Sequence, residues 1–491
     1  MNRSNPSRPD RAITAGADFL QLDIGDAPAG GRADWLTGRL REAITDGRLP
    51  VGSRLPATRV LAAELRVSRG VVTEAYQRLA EDGHVSGRGR AGTVVVSAPP
   101  PGPRRAAVPG RTPAPGGVFA RPPGADAFDA LRAVPARIDL SPGVPDLTAF
   151  PRTAWLRAER AVLRTLSTPD FGYGDPRGTP ALRHAVARWL ARYRGVRVDP
   201  DEVVVVAGVA QALSLLAQVL RADGLTEVAV EDPGSLGARQ HLRNWNVDTP
   251  PVPVDGEGIR VDELRAGGAP AVLLTPAHQF PTGVVLGGAR RRELVRWADE
   301  GGLVIEDDYD AEHRYDRPPV PALRSVLPER VAYAGSVSKV LAPALRVGWL
   351  LVPGAYRDRV VEAKRYADLG NAVLPQLVLA QLMDSGELER HLRFARRRHR
   401  GRRDAMIAAI GRHLPGAVVH GAAAGLHLLI TFDDGVSDTD LAAAALARGV
   451  KAQPLSWHRQ RPGRPGLVLG YGASAPTDIA DGIAAIADAL R

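Results

Sequence analysis

Cysteine is absent from this 491-residue chain. That excludes a disulfide framework, a thiolate metal site and a cysteine nucleophile. No apolar run is long enough to span a bilayer. The opening MNRSNPSRPDRA lacks the apolar core of a secretion signal, so cytoplasmic residence is expected. Lysine is nearly absent as well: three of the 64 Lys and Arg side chains are lysine. A guanidinium keeps its proton in a protein and cannot act as an amine nucleophile. A primary amine can, and with an aldehyde it forms a Schiff base. Lys339, in GSVSKVLAPALRVGW, is therefore the first candidate for chemistry. Lys364 and Lys451 read as surface lysines.

What is present is a globular composition, 44% hydrophobic, in a chain long enough for two or three domains. The net charge of +10 permits an anionic partner such as DNA. Residues 1–16 read as a disordered tail. Residues 17–98 are compact and periodic. Residues 99–136, APPPGPRRAAVPGRTPAPGG and onward, are dense in proline and glycine and read as a semi-stiff linker. As a flexible coil it would span roughly 34 Å. Residues 137–491 alternate short apolar runs (VVVVAG, VAVEDP, AVLLTP, LVIEDD, VAYAGS) with amphipathic helices. The alternation predicts an α/β domain with a largely parallel sheet, helices on both faces, and functional residues at the carboxyl ends of its strands.

Three helices are read in the first segment. Leu36, Leu40, Ala43 and Ile44 share one face of the first, which ends at Asp46-Gly47. LPATRVLAAELRV supplies the second. Ser68 caps the third, where Val72, Ala75, Tyr76 and Leu79 repeat at i, i+3, i+4 and i+7. Only Arg66-Val67 separates the last two, as a helix-turn-helix requires. HVSGRGRAGTVVVS then reads as a two-stranded wing. GSRLPATRVLAAELRVSRGVVTEAYQRLAEDGHV resembles the winged helix-turn-helix of the GntR superfamily. The resemblance implies that Arg59, Ser68, Arg69, Gly70 and Thr73 face double-stranded operator DNA. It also places the wing residues Gly87, Arg88 and Arg90 near phosphates or the minor groove. Arg78 reads as a surface ion-pairing residue.

The second segment offers the parts that pyridoxal 5'-phosphate (PLP) requires: an amine, an acid for the pyridine nitrogen, phosphate donors and a surface for the ring. Lys339 is the amine. EDDYD follows the strand LVI and places Asp307 and Tyr309 at a strand end, for the ring nitrogen and the ring hydroxyl. Asp308 and Asp310 read as a solvated acidic loop. VVVVAGVAQAL runs from strand through glycine into helix, so Val209 and Ala210 offer backbone N–H groups at a helix N-terminus. Ser336, Ser338 and Arg346 flank the lysine and can add phosphate bonds.

Residues 137–491 as a whole resemble fold-type I aminotransferases. The resemblance implies that His278 and Gln279, in TPAHQFPTG, touch the cofactor ring. It implies that Tyr173, in FGYGDPRG, reaches a phosphate across the interface of a homodimer, and that Arg177 is structural. The pattern is broken at two places. Ser235 stands where relatives place a ring-stacking aromatic. Val468 stands where many aminotransferases place an arginine for the substrate carboxylate, with Arg459 a possible substitute. The architecture resembles MocR-type transcriptional regulators, and TPAHQFPTG with EDDYDAEHRYDR resembles the PdxR subtype. That implies a regulator whose operator binding responds to PLP or a PLP–amine adduct, with a role in vitamin B6 metabolism. Two other readings stay open: an active aminotransferase with an accessory DNA-binding domain, and a DNA-binding protein whose large domain only dimerises. No metal ligand set is expected.

Overall fold

A computed structural model describes residues 22–28, 30–87, 92–97, 117–315, 320–433 and 435–491. The tail 1–16, the wing-tip residues Arg88 and Arg90, and residues 99–116 of the expected linker lie outside the described residues. The chain divides into two units between Thr112 and Pro113.

The first unit holds α1 (Arg32–Thr45), α2 (Thr58–Glu64), α3 (Arg69–Glu81) and an antiparallel pair, β1 (Val85–Gly87) with β2 (Thr93–Val95). Leu36, Leu40, Ala43 and Ile44 of α1 meet Leu61, Leu65, Val72, Ala75, Tyr76 and Leu79 in one core. Each large aliphatic side chain buried there contributes about 1.5–3 kcal/mol. Arg66, at φ +52, makes the left-handed turn between α2 and α3. Ser68 sits at the N-cap position of α3, but its side chain makes no capping hydrogen bond.

The second unit begins earlier than expected. Residues to 136 read as linker from their proline and glycine content. Phe119 and Leu131 are nevertheless buried in the core of this unit, and Ala127–Ala133 forms a helix, α4. Phe119 packs on Trp457 with ring centroids 5.2 Å apart, and Phe128 of α4 approaches the same indole edge-on at 6.3 Å. These apolar anchors overrode the composition signal.

After β3 (Ile138–Asp139), α5 (Arg152–Thr165) and α6 (Pro180–Arg194) come the strands of the large sheet. They are β4 (Val204–Val206), β5 (Ala229–Asp232), β6 (Pro251–Asp255), β7 (Gly258–Ile259), β8 (Ala271–Leu274), β9 (Leu303–Asp308), β10 (Val331–Ser336) and β11 (Gly348–Leu351). Their order is β4-β11-β10-β9-β8-β5-β6-β7. The pairings β10–β9, β9–β8, β8–β5 and β5–β6 are parallel; β11 and β7 run antiparallel to their neighbours. The helices α7 (Val209–Ala222) and α8 (Leu236–Asn244) follow β4 and β5. A smaller antiparallel sheet is formed by β12 (Val418–His420), β13 (His427–Thr431), β15 (Gln453–Pro454) and β16 (Gly466–Gly470), in the order β12-β13-β16-β15. Between them in sequence, β14 (Val450–Lys451) pairs with β3. No helix among the described residues is long and apolar enough to cross a membrane.

Candidate functional site

The carboxyl ends of β4, β9 and β10 open onto a cleft of about 390 Å3, walled on the other side by residues of the small sheet and of α4. Lys339 lies in the turn after β10, and its Nζ donates to the carbonyl of Gly143. Burial pushes the Lys339 amine below its ordinary range, opposed by the charges of Asp310 and Asp307. Asp307 lines the same cleft. Its Oδ1 is buried and has no hydrogen-bond partner. Burial, then the like charges of Asp308 and Asp310, push its carboxyl up to about 7, against the pull of Lys339. A buried acceptor left unpaired is costly, and the cost falls when a cationic donor arrives.

The loop from β4 into α7 needs glycine at Gly208, whose φ is +83. A Cβ there would stand in van der Waals contact with the guanidinium of Arg346, 3.4 Å away. The N–H groups of Val209 and Ala210 have no acceptor among the described residues, as is usual for the first turn of a helix. Both residues line the cleft with Ser336, Ser338 and Arg346. Gln211 steadies this loop. Its Oε1 accepts from the N–H of Ala207 at 2.7 Å and from Lys364 Nζ at 3.3 Å, and its Nε2 donates to Asp368 at 2.6 Å. Lys364 is therefore no surface lysine. It is fully buried and also bonds Asp368 and Asn371. Lys451 is buried too, 3.4 Å from Asp139.

Several sequence expectations fall elsewhere. His278 is 1% exposed and does not line the cleft. Its Nδ1 lies 3.0 Å from Asp310 Oδ2 and 2.9 Å from the Tyr309 hydroxyl, which donates to the His278 carbonyl at 3.1 Å. It holds Tyr309, which does line the cleft. Gln279 is turned inward as well. It bonds the carbonyl of Pro233 at 2.9 Å and the Thr282 hydroxyl at 2.6 Å, shaping its own loop. Asp308 and Asp310 are buried, not a solvated loop: Asp308 takes bonds from Arg194 and Tyr333, and Asp310 faces His278. Ser235 lines the cleft and caps α8 through Ala238 N–H at 3.2 Å. Val468 is sealed in an apolar cluster with Leu429, Leu455 and Phe280. Arg459 lines a separate cavity of about 610 Å3 beside Arg461 and Arg464, so it does not supply the cleft with a cation. Tyr173 is 95% exposed and lies outside the cleft of its own chain, next to Leu369 in another depression. Arg177 pairs with Asp175 at 2.7 Å.

Sequence reasoning missed Phe128 and Arg132 of α4, Phe280, His427, Gln453 and His458, all of which line the cleft. The small-sheet residues carry no local signature; the fold alone delivers them. In the first unit, Arg59, Ser68, Arg69, Gly70, Thr73 and Gly87 are all exposed. The Arg69 Nε donates to Thr58 Oγ1 at 3.4 Å. Arg78 pairs with Asp34 and Glu74, as expected for a surface residue.

The sequence matches the aminotransferase class I and II family over residues 136–462 and the gntR family of bacterial regulatory proteins over residues 33–95. It is 32% identical to the "Probable rhizopine catabolism regulatory protein MocR" of Rhizobium meliloti, covering 92% of each chain. It is also 32% identical to the "HTH-type pyridoxine biosynthesis transcriptional regulator PdxR" of Corynebacterium glutamicum, covering 93% of this chain and 95% of that one. Among solved structures, it is similar to LysN of Thermus thermophilus, an alpha-aminoadipate aminotransferase complexed with N-(5'-phosphopyridoxyl)-L-leucine. That likeness has a TM-score of 0.67 and 28% identity, covering 74% of this chain and 94% of that one. With an exposed helix-turn-helix joined to an aminotransferase fold along nearly its whole length, the chain belongs to the MocR-type family of GntR transcriptional regulators.

Proposed function

We propose that this protein is a transcriptional regulator whose grip on its operator responds to PLP held in the Lys339 cleft. The single observation that carries the reading is the placement of Lys339 beside a buried, unpartnered carboxylate oxygen of Asp307 in one cleft. The residues present fit the group. Asp307 would hold the ring nitrogen in its protonated form. Tyr309, oriented by His278, would meet the ring hydroxyl. The free N–H groups of Val209 and Ala210, with Ser336, Ser338 and Arg346, would hold the phosphate, where a helix N-terminus favours an anion. PLP, when bound, supplies an aldehyde for a primary amine and an electron-accepting ring. Lys339 is poised for that role because burial favours its neutral, nucleophilic form.

A homodimer is part of the reading. Tyr173, Tyr366 and Leu369 are large side chains exposed at 95%, 82% and 55%, and a second copy is the partner that would cover them. The likeness to the PdxR regulator supports a role in vitamin B6 metabolism. An amine and an acid in one cleft also suit transamination, so an aminotransferase carrying a DNA-binding domain is the second reading. Turnover of amino acids at rates indifferent to DNA would favour it.

The test is operator binding titrated with PLP, wild type against Lys339→Ala. Wild type should shift its operator affinity with PLP. The variant should bind DNA and ignore PLP. A wild-type affinity that PLP leaves unchanged refutes the reading.

A further inference from the structure

The wall of the cleft contributed by the small sheet is neutral, and its hydrogen-bonding faces can be assigned. His458 accepts the N–H of Leu236 on Nδ1, at 3.4 Å. Its Nε2 therefore carries the proton and donates to Gln453 Oε1, at 3.2 Å. With its oxygen committed, Gln453 has its amide nitrogen, which has no protein partner among the described residues, left as the donor it can offer to the cleft it lines. His427 bonds the carbonyl of Pro281 through Nε2, at 3.2 Å. A carbonyl can only accept, so the proton is on Nε2 and Nδ1 presents a lone pair. Burial holds both imidazoles well below their ordinary range, helped at His427 by His278 and, more weakly, Lys339, and at His458, at about 3, by Arg239 behind the wall. Phe280 and Leu426 complete this wall. The cations of the cleft stand elsewhere: Lys339 and Arg346 follow β10, and Arg132, on α4, is paired with Asp129 and largely exposed.

We infer that this wall is a subsite for the tail of an amine ligand, that it takes a neutral group with both a donor and an acceptor, such as a primary amide, and that it disfavours a carboxylate. An amide oxygen can accept from Gln453 and an amide N–H can donate to His427. A carboxylate would set its charge against the His427 lone pair with no guanidinium lining this wall to pair with it, and an anion so desolvated is costly. This inference rests on the cofactor reading above and names the class of amine that joins the cofactor there.

The experiment uses the full-length protein incubated with PLP and desalted. Retention is scored first, by visible absorbance and by mass after borohydride reduction. The loaded protein is then titrated with 3-aminopropanamide, propylamine and β-alanine, followed by absorbance. 3-Aminopropanamide should bind at least about tenfold more tightly than β-alanine, because a site built for hydrogen bonds rejects ligands that cannot complete them. Gln453→Met should reduce the preference for the amide over propylamine, a ratio measured within the variant and so independent of its loading. Should that variant fail to fold, Gln453→Glu keeps the acceptor that His458 needs and removes the donor, with the same expected fall. β-Alanine binding as tightly as the amide overturns the inference, as does an amide preference that survives both substitutions. If Arg132→Ala abolishes tight β-alanine binding, α4 holds the tail instead, which also overturns it. A protein that retains no PLP fails at the first measurement, before any amine is added, and sinks the cofactor reading itself.

Discussion

Replacing Asp307 with asparagine should stabilise the ligand-free protein while stripping it of cofactor affinity. The substitution keeps the shape of the side chain and removes its charge. Burial and the neighbours Asp308 and Asp310 raise the Asp307 carboxyl from 3.8 to about 7. The folded chain therefore binds this proton more tightly than the unfolded chain does. The resulting stability is complete below the unfolded value and is lost as pH rises through about 7. Such a shift sets a ceiling of about 4 kcal/mol on the penalty carried once the group is ionised. The side chain borders the cleft, where water screens it, so about 2 kcal/mol is the expected size at pH 8.5. Asp307→Asn should exceed wild type by that amount at pH 8.5, and the gap should narrow as pH falls below 7 and close only near the unfolded value of 3.8. Urea unfolding of PLP-free protein, followed by tryptophan fluorescence, measures it. Six of the seven tryptophans lie beyond residue 113, so the signal follows the large unit. A variant no more stable than wild type at pH 8.5, or a gain that does not vary with pH, refutes the reasoning. PLP titration of the same samples should show the opposite ranking, with the variant weaker by at least about tenfold, a charge-assisted bond having been lost.

Arg346→Ala should weaken PLP binding by about ten- to a hundredfold, the worth of one charge-assisted bond, yet change the binding of phosphate-free pyridoxal by less than about threefold; equal losses would place Arg346 away from the phosphate. Arg69→Ala should weaken operator binding by about tenfold if the guanidinium reads a base edge, or lower the salt dependence by about one ion if it meets a phosphate. An unchanged affinity and salt slope, read by fluorescence anisotropy, would remove Arg69 from the interface. Phe119→Ala should cost the large unit about 3 kcal/mol or more, as a buried aromatic does. A linker residue would cost under about 0.5 kcal/mol in the same urea experiment.

Periodicity carried most of the fold. The i, i+3, i+4 pattern of Val72, Ala75, Tyr76 and Leu79 defined α3 because burial on one helical face leaves that trace in a single stretch of chain. The apolar runs ending in EDP, TP, EDD and GS became β5, β8, β9 and β10 for a similar reason. Composition carried less. Proline and glycine between 99 and 136 argued for a linker, but a few anchors, Phe119, Phe128 and Leu131, suffice to seat a short helix on a core. Residues at the strand ends of the large sheet, Asp307, Tyr309, Ser336 and Lys339, were legible because the parallel sheet gathers them on one edge. Gln453, His427 and His458 were not, because they come from the small antiparallel sheet and the turn that follows β15, whose position over the cleft is a tertiary fact.

The EDDYD segment shows how far alternation alone could have reached. Successive side chains of a strand point to opposite faces. Glu306 and Asp308 accordingly share one face of β9, and both lie against Arg194, with Tyr333 donating to Asp308. Asp307 takes the other face and meets the cleft. Without any coordinates, a period of two applied to LVIEDD separates the acids that pair with Arg194 from the one that meets the cleft. It cannot reach Asp310, which lies past the strand and is paired with His278 through its side chain. Four acids thus crowd one strand end; Asp307 and Asp310 both line the cleft, but Asp310 is paired with His278, whereas Asp307 has no side-chain hydrogen-bond partner among the described residues. Its charge is costly in the cleft, and either a proton on the carboxyl or a cation entering beside Lys339 relieves it. The instability that Asp307→Asn should remove is therefore the same free energy that would make the cleft select a protonated ring.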